Sequence, residues 1–363
     1  MKFHRVSLQR YRNIEDADIE FDPGLNVIYG KNAQGKTNLI EALSYIPSCR
    51  SFRASHDRDM IKIGCDDAKI SAYYECRGRE RSAEIVFFQG QKRRIMLDGA
   101  RCRSTSEFSG SINCVLFSPD DLYMIKGEPA QRRRFTDLAI SQQKPAYIKA
   151  LTEYGKALSE ASYLIKNWEE LPKSTRDSIE SWFYQLAEKG GYISEVRERY
   201  IALLSEKLSA FYCDMSGGER AECTYVTPCG EGGRTERAET IYKKLTENLE
   251  KQIAAGTVLY GVQRDDVGFF VDGKDLRQFG SQGQQRSAVL SAKLAEGEII
   301  RQTAGEYPVF LFDDVLSELD RDRKNYLLTR LDGKQIMITC CDEREFSDCE
   351  GRFIRTENGR FYF

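Results

Sequence analysis

Residues 30–37 read Gly30-Lys31-Asn32-Ala33-Gln34-Gly35-Lys36-Thr37: a glycine, four intervening residues, then Gly-Lys-Thr. These types at this spacing can hold a chain of phosphates. The loop backbone turns its N–H groups toward the anion, and Lys36 adds a point charge for the β- and γ-phosphates. The Thr37 hydroxyl can ligate Mg²⁺. The surroundings agree. Leu25–Tyr29 is a short β-rich run and Asn38–Leu43 reads as helix, so the positive end of a new helix adds to the site. A plain glycine turn before a helix requires neither the lysine nor the threonine.

Such a site needs an acidic partner at the end of a neighbouring buried strand, and 307–314 supplies one. Val309-Phe310-Leu311-Phe312 is apolar and is followed by Asp313-Asp314. Asp313 is expected to hold Mg²⁺ through water, and Asp314 to orient the attacking water as base. Asp314 and Lys36 are therefore the catalytic candidates, and Thr37 and Asp313 the metal candidates. Ser317-Glu318-Leu319-Asp320 follows at once.

Phe279-Gly280-Ser281-Gln282-Gly283-Gln284 precedes a helix expected over 288–300. A serine-glycine pair at a helix N-terminus is a second anion site. One loop already holds the phosphates, so Ser281, Gln282, Gly283 and Gln284 are expected to cap a γ-phosphate held by another copy. That predicts an ATP-dependent homodimer with nucleotides at a two-fold interface. Met215-Ser216-Gly217-Gly218-Glu219-Arg220 imitates such a signature, but it stands too far before the acidic strand and reads as a loop.

The elements must bring 30–37 and 313–314 together across a long insertion. Residues 1–126 read as strands and turns around the P-loop helix, with a hairpin over 3–21. Tyr147, Leu151, Tyr154, Leu158, Ala161, Ile165 and Trp168 then recur at spacings of four and three, a helical seam. Leu171–Ser174 is expected to break it, with Ser174 capping the next helix. A second apolar series from Ile179 to Phe211 is expected to be interrupted at Gly190-Gly191. The fold expected is α/β: a P-loop ATPase head, its halves at 1–126 and 251–363, around a mainly helical lobe inserted over 127–250.

With 54 basic and 56 acidic side chains, a net charge of −2 gives no whole-chain footprint of a nucleic-acid binder. Locally, 77–103 carries eight basic residues against Glu80, Glu84 and Asp98. Arg77, Arg79, Arg81, Lys92, Arg93 and Arg94, on an expected β-meander, are the DNA-contact candidates. A solvated strand face is the plainer alternative. Arg132–Arg134 open the lobe, where DNA contact and structural ion pairing compete. Eleven irregularly spaced cysteines, with no Cys-x-x-Cys, suit reduced thiols in a cytoplasm. No apolar stretch approaches ~20 residues, and the N-terminus lacks a signal-peptide core. No membrane association is expected.

Taken together, the P-loop, serine-glycine signature, Asp-Asp strand and Ser-Glu-Leu-Asp resemble the ABC-type, SMC-like ATPases of chromosome maintenance. Pro119-Asp120, Met124–Gly127, Pro129, Arg132–Phe135 and Asp137 are similar to the central segment of the RecF family of DNA repair proteins. So are Leu8, Arg12-Asn13, Asn38–Ala42, Leu311–Asp314, Arg323 and Leu327 to its ends. This resemblance implies an ATP-driven dimer that binds duplex, gapped or single/double-strand junction DNA in recombinational repair and replication restart. It implies a weak, DNA-stimulated ATPase and work with RecO and RecR to load RecA, within the SOS response. Glu128, Thr136 and Val262-Gln263 depart from the family pattern, and Thr339-Cys340-Cys341 is a shortened threonine run without a switch histidine. Rival readings are a transporter nucleotide-binding subunit, a small-molecule P-loop kinase and a purely structural SMC-like DNA clamp.

Overall fold

The structure is a computed structural model and describes residues 1–346 and 349–363; the Glu318 side chain also lies outside the described set. In chain order the first elements are β1 (Lys2–Tyr11), β2 (Ile14–Glu20), β3 (Leu25–Tyr29), α1 (Lys36–Ser48), β4 (Asp67–Cys76), β5 (Arg79–Phe88), β6 (Arg94–Leu97), β7 (Ala100–Arg101), α2 (Thr105–Phe108) and β8 (Cys114–Phe117). A mainly helical stretch follows: α3 (Tyr123–Lys126), α4 (Pro129–Ser141), α5 (Pro145–Lys166), α6 (Lys173–Arg176), α7 (Ile179–Ser216), β9 (Ala221–Val226), α8 (Arg234–Glu247), α9 (Leu249–Ala255), β10 (Asp266–Val271), β11 (Lys274–Asp275) and α10 (Leu276–Phe279). The chain closes with α11 (Gln282–Ala304), β12 (Val309–Asp313), α12 (Arg321–Arg330), β13 (Ile336–Cys340), β14 (Arg352–Glu357) and β15 (Arg360–Tyr362).

Two compact units result. One comprises Met1–Asp121, Asp214–Gly218 and Arg286–Phe363; the other comprises Leu122–Cys213 and Glu219–Gln285. The lobe expected over 127–250 thus differs at both ends. It begins at Leu122 and takes in the strands β9 and β10 and the chain as far as Gln285. The physical reason is that β9 and β10 pair with each other, Ala221 opposite Val271 through Val226 opposite Asp266, and join neither sheet of the first unit.

The first unit has two six-stranded sheets. An antiparallel sheet runs β2-β1-β4-β5-β6-β7, and a mostly parallel one runs β15-β14-β3-β13-β12-β8. Their sequences differ as their burial does. β12 and β13 are buried at every residue and are nearly continuous apolar runs, as strands covered on both faces must be. In β4, Ala68, Ile70, Ala72 and Tyr74 turn inward while their neighbours face out, the two-residue alternation of a half-buried strand. Between the sheets lies α1. Leu39, Ile40, Ala42, Leu43, Tyr45 and Ile46 are apolar around most of its circumference, and they join Phe3, Val6, Leu8, Ile70, Leu311 and Met337 in one core. The expected hairpin and meander are present, with β1–β2 and β4–β5–β6–β7 paired antiparallel.

The acidic strand is not the neighbour of the P-loop strand. β13 lies between β3 and β12, so the two halves of the site are bridged by a third strand.

In the second unit α7 is continuous for 38 residues through Gly190-Gly191. Those glycines are places of close approach and not breaks: a Cβ on Gly191 would lie 2.4 Å from the Arg234 carbonyl oxygen, and one on Gly190 2.8 Å from Ile241 Cδ1. α8 therefore packs directly on this stretch of α7. Ser174 caps nothing; it lies inside α6, whose N-cap is Pro172. Arg132 and Arg133 are structural. Arg132, only 3% exposed, pairs with Asp266 at 2.6 Å, and Arg133 donates to the Asp265 carbonyl at 2.7 Å. Buried Asp265 also receives Arg197, Tyr225 and Thr227. Burial pushes its carboxyl upward, and the Arg197 charge opposes that. Breaking such a buried pair costs about 3–5 kcal/mol, so this network is a strong polar tie within the unit.

The eleven cysteines form no disulfide; six are buried and Cys341 is exposed. Among the described residues no helix is long and apolar enough to cross a membrane.

Candidate active site

The glycine loop leaves β3 at Tyr29 and enters α1 at Lys36, the strand–loop–helix order expected. At Gly30 φ is 151°, and a Cβ there would stand 2.3 Å from the Thr356 carbonyl oxygen. Only glycine lets the loop lie against β14 so closely. Ala33 and Gly35 also have left-handed backbone, φ 65° and 113°, folding the loop back over itself. The turn between β14 and β15 grips the crest of the loop. Gly359 N–H donates to the Gln34 carbonyl at 2.9 Å, and Asn358 N–H to Gln34 Oε1 at 2.5 Å. Asn32 Oδ1 meets Cys341 Sγ at 3.3 Å. No feature of the sequence assigned the C-terminal hairpin this role.

Lys36 is buried and turns back along the loop, its ammonium donating to the carbonyls of Gly30 and, at 3.2 Å, Lys31. Thr37 Oγ1 donates to Asp313 Oδ1 at 2.9 Å, which joins the two sequence-distant candidates. Thr339, on the intervening β13, donates to the same oxygen at 3.2 Å and accepts the Asp314 N–H at 2.9 Å. One threonine thus fixes both acidic residues across the strand that separates them from the P-loop. Burial pushes the Asp313 carboxyl up from its usual range, while the Thr37 and Thr339 hydroxyls and the Arg53 charge pull it down. A buried carboxylate served by hydroxyls beside a phosphate loop suits a hard divalent cation.

Asp314 has φ 55°, outside the strand conformation, so its side chain leaves the line of β12. A left-handed aspartate costs conformational energy, and such strain collects at functional sites. Ser317 Oγ donates to the Asp314 carbonyl at 3.0 Å. Asp320 caps α12 by accepting the Arg323 N–H, and that bond leads the causes that hold its carboxyl below the usual range. Leu319 is half-buried between them, and the Glu318 side chain lies outside the described residues.

Two further groups support the loop. Glu41, fully buried on α1, takes a fork of bonds from Arg12 at 2.7 and 2.9 Å and another from Ser51. A charged residue inside an apolar helix run demands such a partner, though the sequence does not say which. Asn38 links Asn13 at 2.7 Å to Arg53 at 3.1 Å, which leaves an exposed guanidinium beside the start of α1. Arg53 carried no sequence signal.

Ser281 to Gln284 belong to the second unit. Ser281 Oγ accepts the Gln284 N–H at 3.2 Å while Gln284 Oε1 accepts the Ser281 N–H at 3.0 Å, a reciprocal cap. α11 therefore starts at Gln282, six residues before the expected helix. Ser281 and Gln282 are exposed. The imitation signature is not independent of this cap: Glu219 Oε1 accepts from Gln284 Nε2 at 3.0 Å.

Of the basic candidates, Arg77, Arg79, Lys92 and Arg94 are exposed on or beside β5 and β6. Arg93 turns inward. It pairs with Asp57 at 2.9 Å and donates to Tyr45 OH at 2.8 Å, so it serves the core rim. Arg81 is paired with Asp98 at 2.7 Å.

Residues 2–359 match the family described as RecF/RecN/SMC N terminal domain. A DNA replication and repair protein RecF from Clostridium novyi (strain NT) is 35% identical over 363 residues, covering 99% of each chain. A solved structure of the recombination mediator protein RecF-ATP in the RecFOR pathway superposes with a TM-score of 0.92 at 33% identity, over 99% of this chain and 97% of that one. A Pyrococcus furiosus Smc head domain, 19% identical with a TM-score of 0.56 over 99% and 95% of the two chains, shares the fold. The full-length identity to relatives of that name places this chain in the RecF family of DNA replication and repair proteins, within the ABC-type SMC-like ATPases.

Proposed function

We propose that this chain is an ATP-operated DNA-binding protein of recombinational repair and replication restart. In this reading it dimerises around two ATP molecules, binds duplex or gapped DNA and hydrolyses ATP slowly. The observation that carries it is the meeting of Thr37 with Asp313 in a phosphate loop, on a chain that carries a second, exposed helix start at Ser281. The name of the similar RecF-ATP structure supports ATP as the nucleotide.

In this reading Gly30–Thr37 wrap the phosphates, and Lys36 leaves the loop carbonyls for the β- and γ-oxygens. Thr37 and Asp313 are the residues that would hold Mg²⁺, which when bound neutralises phosphate charge. Asp314 orients the attacking water and accepts its proton. An aspartate, shorter than glutamate, suits a slow timer. Ser281–Gln284 reach the γ-phosphate of the second copy.

DNA contact is mainly to phosphates, from Arg77, Arg79, Lys92 and Arg94 of both copies, and so falls with salt. RecR and RecO are the partners inferred from the RecFOR name of the similar structure, RecA follows only from the family resemblance, and the cytoplasm is the compartment. The test is binding of a gapped duplex with ATP, ADP or no nucleotide at several salt concentrations. Tighter, salt-sensitive binding with ATP supports the reading, and indifference to nucleotide rejects it.

A further inference from the structure

α11 begins at the signature and α12 begins at the Ser317–Asp320 loop, and a single side chain ties the second turn of α11 to the first turn of α12. Arg323 donates through Nε to Ser287 Oγ at 2.8 Å and through Nη1 to the Asp320 carboxylate, while its backbone N–H caps on the same aspartate at 2.9 Å. Ser287 is 3% exposed and lies on α11 six residues after Ser281, so the serine end of the bond is buried. Asp320 belongs to the loop whose Ser317 holds the Asp314 carbonyl at 3.0 Å. Hydrogen bonds therefore join Ser287 to Arg323, Arg323 to Asp320 and Ser317 to Asp314, with only the helix α11 and the backbone of 317–320 between them.

Geometry makes arginine the suitable residue. Its planar guanidinium offers donors in a fixed fork, so holding Asp320 fixes where Nε points. A lysine at 323 could satisfy one acceptor but could not tie both. α11 runs without a break from Gln282 to Ala304, so its first turn and Ser287 lie on one helix.

We propose that Arg323 is a positioning residue that links the occupancy of Ser281 to the placement of Asp314 in the same copy. The arrival of the second copy's triphosphate at Ser281 would then set hydrolysis of the nucleotide held by Lys36 and Thr37. This inference rests on the ATP-driven dimer proposed above.

The experiment compares wild type, Ser287→Ala, Ser287→Thr, Arg323→Lys and the double variant Ser287→Ala/Arg323→Lys. Nucleotide affinity, ATP-driven sedimentation and steady-state hydrolysis on gapped duplex are measured for each. Ser287→Ala and Arg323→Lys should each lower kcat at least tenfold, with KM and dimerisation within twofold of wild type. The double variant should be no worse than Arg323→Lys, because both changes cut one link. Ser287→Thr, which keeps the hydroxyl, should retain most of the rate. Unchanged kcat, additive losses or failure of Ser287→Ala to dimerise would overturn the proposal. A wild type that does not associate with ATP would instead remove the reading beneath it.

Discussion

Thr37 Oγ1 donates to Asp313 Oδ1 over 2.9 Å although 276 residues separate the two in sequence. The bond joins the glycine loop to the acidic strand in the first unit, and it places a carboxylate where burial opposes its charge. The stability consequence has a definite sign. With the native pKa raised above the unfolded value near 3.9, the folded state binds the proton more tightly than the unfolded chain. The native state is therefore penalised as pH rises through that interval and carries the full penalty above it. Asp313→Asn keeps the acceptor for Thr37 and removes the charge. Without nucleotide, its melting temperature should exceed that of wild type by a few degrees at pH 7, an advantage that vanishes toward pH 4. Mg²⁺-dependent ATP binding should be lost. Calorimetry across pH checks the first, and an equal or lower melting temperature at pH 7 would contradict it.

Lys36→Arg should weaken ATP binding at least tenfold, about 1.4 kcal/mol. The buried ammonium sits in a space bounded by the Gly30 and Lys31 carbonyls, where a planar guanidinium cannot take its place. ATP-driven association and DNA binding should fall together with it. Titration with a fluorescent ATP analogue measures the first, and sedimentation the second.

Asp314→Asn should leave ATP affinity within about twofold while cutting hydrolysis roughly 10²-fold or more, the scale of general-base loss. The dimer should then persist after ATP addition instead of decaying. Quenched-flow product measurement decides this, and unchanged turnover would show that another group is the base.

Two glycines in the second unit should respond in opposite ways. Gly191→Ala drives a Cβ to within 2.4 Å of the Arg234 carbonyl oxygen and should cost about 1–3 kcal/mol. Gly155→Ala, on α5 with no atom within 4 Å, should stabilise by about 0.5–1 kcal/mol through helix propensity. Urea unfolding of both variants checks the pair.

These responses also show what the sequence could and could not convey. The strand–loop–helix of 30–37 and the buried strand that ends at Asp313 were legible because phosphate chemistry fixes both residue type and spacing. Gly190-Gly191 misled because a glycine pair is written alike whether it breaks a helix or admits a neighbour, and only Ile241 and Arg234 distinguish the two. The place of β13 between β3 and β12, and with it the reach of Thr339 to Asp313, was hidden because strand order in a parallel sheet is set by crossovers, which leave no local mark. Arg93 looked like the other basic residues of its run, and only the spatial position of Asp57 turns it inward. The lobe's end at Gln285 was missed because β9 finds its partner β10 40 residues onward.

Sedimentation velocity of wild type and Ser281→Arg, with and without a non-hydrolysable ATP analogue, decides whether ATP draws two copies together. Wild type is expected to shift from monomer to dimer with the analogue. Ser281→Arg should bind the analogue equally well as a monomer and stay monomeric, because in the proposed dimer 281 meets only the nucleotide of the other copy. A wild type that remains monomeric at saturating analogue, or a Ser281→Arg variant that dimerises like wild type, would contradict it.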